Sequence, residues 1–186
     1  MNAKDLVNEI IECELIMFLS VPAEGNPACR ESPDNFRIHR SAQFSAWSEE
    51  TLLSYLADLK AAETRGRNLM TYKYARMEEM IASENNSPYI NNIVSAQTNW
   101  QNQVIEEYPK LMKNGRGLRD DDASVLDVSF ERYLRAELES YSEKTLELLS
   151  ADIDAYLDDG VNMSEQIYLN LLSNYGISSL ESFKNN

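Results

Sequence analysis

The sequence predicts an all-α fold: a helical bundle of about six long helices, made from two tandem, internally duplicated three-helix units with pseudo-two-fold symmetry. Apolar residues recur at helical spacing along almost the whole chain. No stretch of comparable length alternates as a strand does. One segment occurs twice: WSEETLLSYLADLKAAETRGRN, from Trp47 to Asn68, and YSEKTLELLSADIDAYLDDGVN, from Tyr141 to Asn162, align without a gap at an offset of 94 with nine identities. Chance supplies about one or two in such a window, so the match reads as an internal duplication. Outside it, Phe36 meets Phe130, Ala42 meets Ala136 and Tyr74 meets Tyr168.

The chain is expected to form one domain over 1–186, with unit one covering about 1–84 and unit two about 88–186. Leu6, Ile10, Cys13 and Met17 mark the first helix, which the prolines from Pro22 to Pro33 interrupt. Phe36, Arg40, Phe44, Trp47, Thr51, Tyr55 and Leu59 share a helical phase, which predicts a long second helix capped at Asp34 and ended by Gly66. In both GRN (66–68) and GVN (160–162) the glycine suits a left-handed helix end and the asparagine caps the next helix. Leu69, Lys73, Met77 and Met80 carry the third helix.

Unit two opens with a helix over about Tyr89 to Tyr108, stopped by Pro109. Its long helix begins near Asp127 or Ser129, and Met163, Ile167, Leu171 and Leu172 carry its last one. Asn162 with Glu165, and Ser178 with Glu181, have the spacing of capping boxes. Neither unit is expected to be stable alone, because each long helix is apolar on more than one side.

With 31 acidic and 17 basic residues the formal charge is -14, which argues against nucleic acid or an anionic membrane as main partner. Asp5, Glu9, Glu12 and Glu14 punctuate the apolar N-terminal run, so it reads neither as a secretory signal nor as a membrane span. Two cysteines and one histidine leave no disulfide framework and no Cys/His zinc site. A cytoplasmic location, no metal and no cofactor are expected.

FRIHRSAQFSAW, YLADL, GRNLMTYKYARM, FERYLRAELESYSEKTLEL and NYGISSLE together resemble an uncharacterised bacterial family catalogued as domain of unknown function 4125. The resemblance covers almost the entire chain. It matches Glu14 ahead of Met17-Phe18, Cys29 in the loop, and Arg40, Ser41 and Gln43. His39 stands where the pattern has an apolar residue, and the segment from Met80 to Pro88 is short. The resemblance implies a bacterial source and carries no reaction, cofactor or partner with it.

Polar residues inside apolar stripes mark the candidate site. Arg40 and Gln43 share a face with Phe36, Phe44 and Trp47, and Glu14 shares one with Ile10, Met17 and Phe18. Glu137 holds the position equivalent to Gln43, between Tyr133 and Tyr141. A buried charge must be paired, so this set is either an ion-paired layer that registers the halves or a pocket. In a pocket, Arg40 holds a carboxylate or phosphate while Glu14 or Glu137 moves protons.

Two weaker features accompany it. Cys29 lies beside Arg30, with His39 as its candidate base, which suits a thiolate nucleophile or simple packing. Lys110, Lys113, Arg116 and Arg119 crowd a glycine-containing loop, which suits an anion or a solvated loop balanced by Asp120, Asp121 and Asp122. The leading expectation is a binding or interaction module for a small anionic ligand or a protein partner, with Arg40, Gln43, Trp47, Tyr133, Glu137 and Arg116 at the ligand. The alternative is a small metal-independent enzyme using Glu14, Arg40, Gln43 and Glu137.

Overall fold

A computed structural model describes residues 2–22, 32–113, 115–121 and 128–184. Among them the chain forms nine α-helices and no strand. Helix α1 (Ala3–Leu19) opens with a reciprocal cap between Asn2 and Asp5. It buries Leu6, Ile10 and Met17 with Val7, Ile11, Leu15 and Phe18, an apolar face wide enough to meet three neighbours.

The long second helix expected from the periodicity is two helices, α2 (Pro33–Phe44) and α3 (Glu49–Thr64). Tight bonds from Ala46 to Gln43 and from Trp47 to Phe44 turn the chain. The Ser48 side chain then caps α3 by accepting from the Thr51 N–H. The Ser48 N–H donates to Asp152 at 3.0 Å in place of a helical carbonyl, so the helix cannot run through. The apolar phase nevertheless continues across the break, which is why periodicity alone reads one helix. Asp34 lies within the first turn of α2 and does not cap it; the N-cap position is Ser32, with no side-chain bond.

Gly66 has φ 65°, the left-handed conformation that ends α3, and Asn68 caps α4 (Leu69–Met77). The third helix stops before Met80, because Glu79 takes φ 57° and Met80 bonds back to Ala75; Met80 is exposed. Helix α5 (Pro88–Glu107) runs into the single turn α6 (Pro109–Met112).

Ser129 caps α7 (Phe130–Leu138), and Ser142 caps α8 (Glu143–Asp158) after a second break in an expected long helix. Here the Ser142 N–H donates to Asp58 at 3.0 Å, reciprocating the bond from Ser48 to Asp152. Gly160, at φ 66°, ends α8, and Asn162 caps α9 (Met163–Ser173). Only half of that expected box forms, because the Glu165 carboxylate accepts from the Tyr108 hydroxyl. The final turn, Glu181–Phe183, takes its side-chain bond from Ser179 and not from Ser178.

Helix α1 packs on α2, α3 and α4, and α5 packs on α7, α8 and α9. The two sets are joined where α3 meets α8, α2 meets α9 and α4 meets α7. One contiguous core runs from Leu6 to Met163, and a smaller one gathers at Val104, Tyr108 and Leu180. No helix of the described residues is long and apolar enough to cross a membrane.

A methyl group added at Gly66 or Gly160 meets no atom within 4 Å, so only backbone strain opposes it. Gly66→Ala and Gly160→Ala should therefore each cost about 1 kcal/mol in urea denaturation, with unchanged helical content.

Candidate functional site

Five helices send polar side chains to one buried point. Arg40, on α2, donates through Nε and Nη2 to the two oxygens of Glu14 on α1, both at 2.6 Å. Its Nη1 donates to Gln43 at 2.7 Å, and Nη1 and Nη2 both reach Glu137 on α7 at 3.1 Å. Glu137 also accepts from Lys73 on α4, from Gln43 at 3.0 Å and from the Tyr141 hydroxyl at 2.7 Å. The Tyr55 hydroxyl, from α3, donates to Glu14 at 2.6 Å.

Arg40, Lys73, Glu14 and Glu137 are each at most 5% exposed, so this cluster lies in the interior. Two cations offset two carboxylates, which is what makes burial tolerable. Burial alone pushes the Glu137 carboxyl up, but Arg40 and Lys73 overcome it and hold it well below the usual carboxylate range. Burial likewise opposes the charge on Arg40, and Glu137 and Glu14 outweigh it, so the guanidinium stays charged. Burial, then Glu14, raises the Tyr55 hydroxyl; burial, then Glu137, raises that of Tyr141. Both remain donors.

The residues expected to converge, Glu14, Arg40, Gln43 and Glu137, do so. Each Arg40 nitrogen is already engaged by an internal acceptor. Lys73 sits in the sequence as part of an apolar stripe, and a lysine between Leu69 and Met77 is the same anomaly as Arg40. Tyr55 and Tyr141 gave no comparable signal, because tyrosine is ordinary in a helical stripe. Trp47 is packed edge-on against Phe44, Tyr55 and Tyr141 and shields the cluster from the far side.

On the near side a cleft of about 430 Å³ opens to solvent. Arg40, Lys73, Arg116 and His39 line it with Ser32 and Asn35, and Phe18, Phe36, Met70, Tyr74 and Tyr133 supply its apolar surface. No described lining residue is acidic. Phe18 and Phe36 stack at 4.9 Å. Opposite them, the Lys73 ammonium lies 3.8 Å and the Arg116 guanidinium 4.9 Å from the centre of the Tyr133 ring. Arg116 is exposed, donates to the Val128 carbonyl at 3.1 Å and has no ion pair among the described residues.

A smaller cleft of about 120 Å³ lies beyond Tyr133, lined by Gln43, Gln97, Gln101, Phe130, Leu134, Glu137, Ser164, Ile167 and Tyr168. The basic loop does not act as one patch. Arg119 pairs with Glu131, and Asp120 pairs with Arg132 on α7 and with none of the loop's cations. Cys29, and with it any pairing to His39, lies outside the described residues. Among those residues no group of three or more His, Cys, Asp or Glu side chains is placed to hold a metal ion.

Arg40→Met should be the most damaging single change in the cluster, at about 3–5 kcal/mol, because it leaves the buried Glu14 carboxylate without a cation and removes one of the two on Glu137. Gln43→Leu should cost about 1.5–3 kcal/mol, because both of its hydrogen bonds are to charged groups. Glu137 has a folded pKa below its unfolded value of 4.5, so its contribution is complete above that value and is lost as pH falls through the folded pKa. The urea midpoint should thus fall progressively once the pH drops below about 5 and keep falling through the acid range, and this acid loss should be smaller in Glu137→Gln.

Comparison with curated proteins and with solved structures gave no match. Comparison with protein families matched residues 4–185, nearly the entire chain, to one described as "Protein of unknown function (DUF4125)". That span includes every residue of the buried cluster and of both clefts, and the chain belongs to this family.

Proposed function

We propose that this chain is a binding module for a small anionic ligand, taken into the larger cleft at the junction of two duplicated halves. The observation that carries the reading is the cleft lining: Lys73, Arg116, Arg40 and His39 beside aromatic rings, with no described carboxylate, in a chain of charge -14. A cleft of this size suits a metabolite-sized molecule. A local excess of cations in an acidic protein concentrates field where an anion gains most from it.

Charge accounting favours a monoanion. Arg40 and Lys73 are offset by Glu14 and Glu137, which leaves Arg116 as the cation facing the cleft that has no ion pair among the described residues. The ligand's carboxylate meets Arg116 and the outer face of Lys73, and its apolar part lies against Phe36 and Tyr74. The buried cluster behind is the layer that registers the halves. The alternative of an enzyme acting through Glu14, Arg40, Gln43 and Glu137 has less support, since these groups are already bonded to one another.

The duplication is supported by order and packing. Helices α1 to α4 match α5 and α7 to α9, and the exchange of α2 onto α9 and α7 onto α4 is reciprocal, as are the Ser48–Asp152 and Ser142–Asp58 bonds. The setting we propose is the bacterial cytoplasm, from the family resemblance and the absence of a disulfide framework.

Benzoate, acetate and inorganic phosphate titrated in a thermal-shift assay test the reading. Benzoate should raise the melting temperature with concentration, as a ligand of the folded state does, by about 1.4 kcal/mol of stabilisation at ten times its Kd. The exposed substitution Arg116→Ala should leave the unliganded melting temperature unchanged and abolish most of the rise. No shift with any of the three anions at high concentration would sink the proposal.

A further inference from the structure

The two clefts share a plan. At the offset of 94, Phe36, His39, Arg40, Met70, Lys73 and Tyr74 of the larger cleft become Phe130, Tyr133, Leu134, Ser164, Ile167 and Tyr168, and all six line the smaller one. Each cleft is also closed by a residue from the opposite half: Tyr133 of α7 borders the larger, and Gln43 of α2 borders the smaller. Unrelated surface dents do not coincide position by position in this way. The phenylalanine and the tyrosine are kept in both, whereas Arg40 and Lys73 are replaced by Leu134 and Ile167.

We infer that the smaller cleft is a second binding site, the counterpart of the first, and that it takes a small uncharged aromatic amide. This rests on the duplication proposed above. Leu134 and Ile167 remove the positive charge, and the Glu137 carboxylate lines the wall, so an anion is disfavoured there. Polar contacts remain available. The Ser164 side chain is 5% exposed and its hydroxyl has no hydrogen bond within the described residues, and the Gln97 amide has none either. Gln101, by contrast, is held by the Tyr168 hydroxyl at 3.0 Å.

A cleft-lining hydroxyl without a protein partner and a free side-chain amide on the same wall suit a ligand that both donates and accepts, as a primary amide does. Phe130, Leu134 and Ile167 provide the apolar surface for its ring. The volume of about 120 Å³ admits a single ring and little else.

Backbone-amide NMR of the full chain with two isosteric probes, benzamide and benzoate, tests this. Benzamide should shift the amides of residues 97–101 and 164–168, and benzoate those of 36–40 and 70–74. Ser164→Ala, which removes only the hydroxyl, should weaken benzamide roughly three- to ten-fold by removing one hydrogen bond, without altering benzoate. Ile167→Lys, a half-buried position, should draw benzoate into the second cleft with about ten-fold tighter binding there than in the wild type.

Benzamide shifts that are absent, or confined to the first cleft, overturn the second site even where benzoate binds as proposed. Benzoate that perturbs neither cleft, with benzamide in its place at residues 164–168, overturns the anion reading and leaves the second site standing.

Discussion

The ion-paired cluster around Arg40 is the constraint on which the rest of this fold depends. Two carboxylates and two cations lie in an interior where one unpaired charge costs several kcal/mol, and they are tolerated only because their geometry leaves each one bonded. Because the partners come from α1, α2, α4 and α7, a shift of any of these helices breaks several bonds at once. An apolar core of similar volume packs in many registers, and a charged one packs in few. In the registering role proposed above, the cluster acts less as a source of stability than as a filter on how the helices meet.

The same cluster decides what each side of the bundle offers to solvent. On the α4 side, the outer faces of Lys73 and Arg40 look into the larger cleft. On the α9 side, Glu137 and Gln43 look into the smaller one. Tyr133 stands between the two and carries two cations over its ring. The cleft pair thus shares a set of positions and has opposite electrostatics: Arg40 and Lys73 give way to Leu134 and Ile167, Arg116 lines only the larger cleft, and Glu137 lines only the smaller. Under the proposed duplication, one half kept charge where the other acquired apolar surface.

The breaks at Ser48 and Ser142 show how tertiary contact reshapes local preference. Each serine caps its own helix while its backbone N–H is claimed by an aspartate of the opposite half. Helical propensity and apolar phase both favour continuation. A backbone N–H bonded to a carboxylate stands where the next helical bond would form, and the resulting bend brings Arg40 and Tyr55, otherwise far apart on one long rod, to the same carboxylate.

Legible in the chain alone are the helical class, the Gly-x-Asn junctions and the anomaly of charged residues in apolar stripes. These depend on local φ/ψ preference and on a period that one helix carries alone. Glu14, Arg40, Gln43 and Glu137 were legible as a set because burial makes their charge conspicuous. Only the tertiary structure decided that Arg40 is fully engaged, that Lys73, Tyr55 and Tyr141 complete the cluster, and that Arg116 lies over Tyr133 at the mouth of a cleft. Those relations join residues far apart in the chain, and they exist only once packing has chosen which helix faces which.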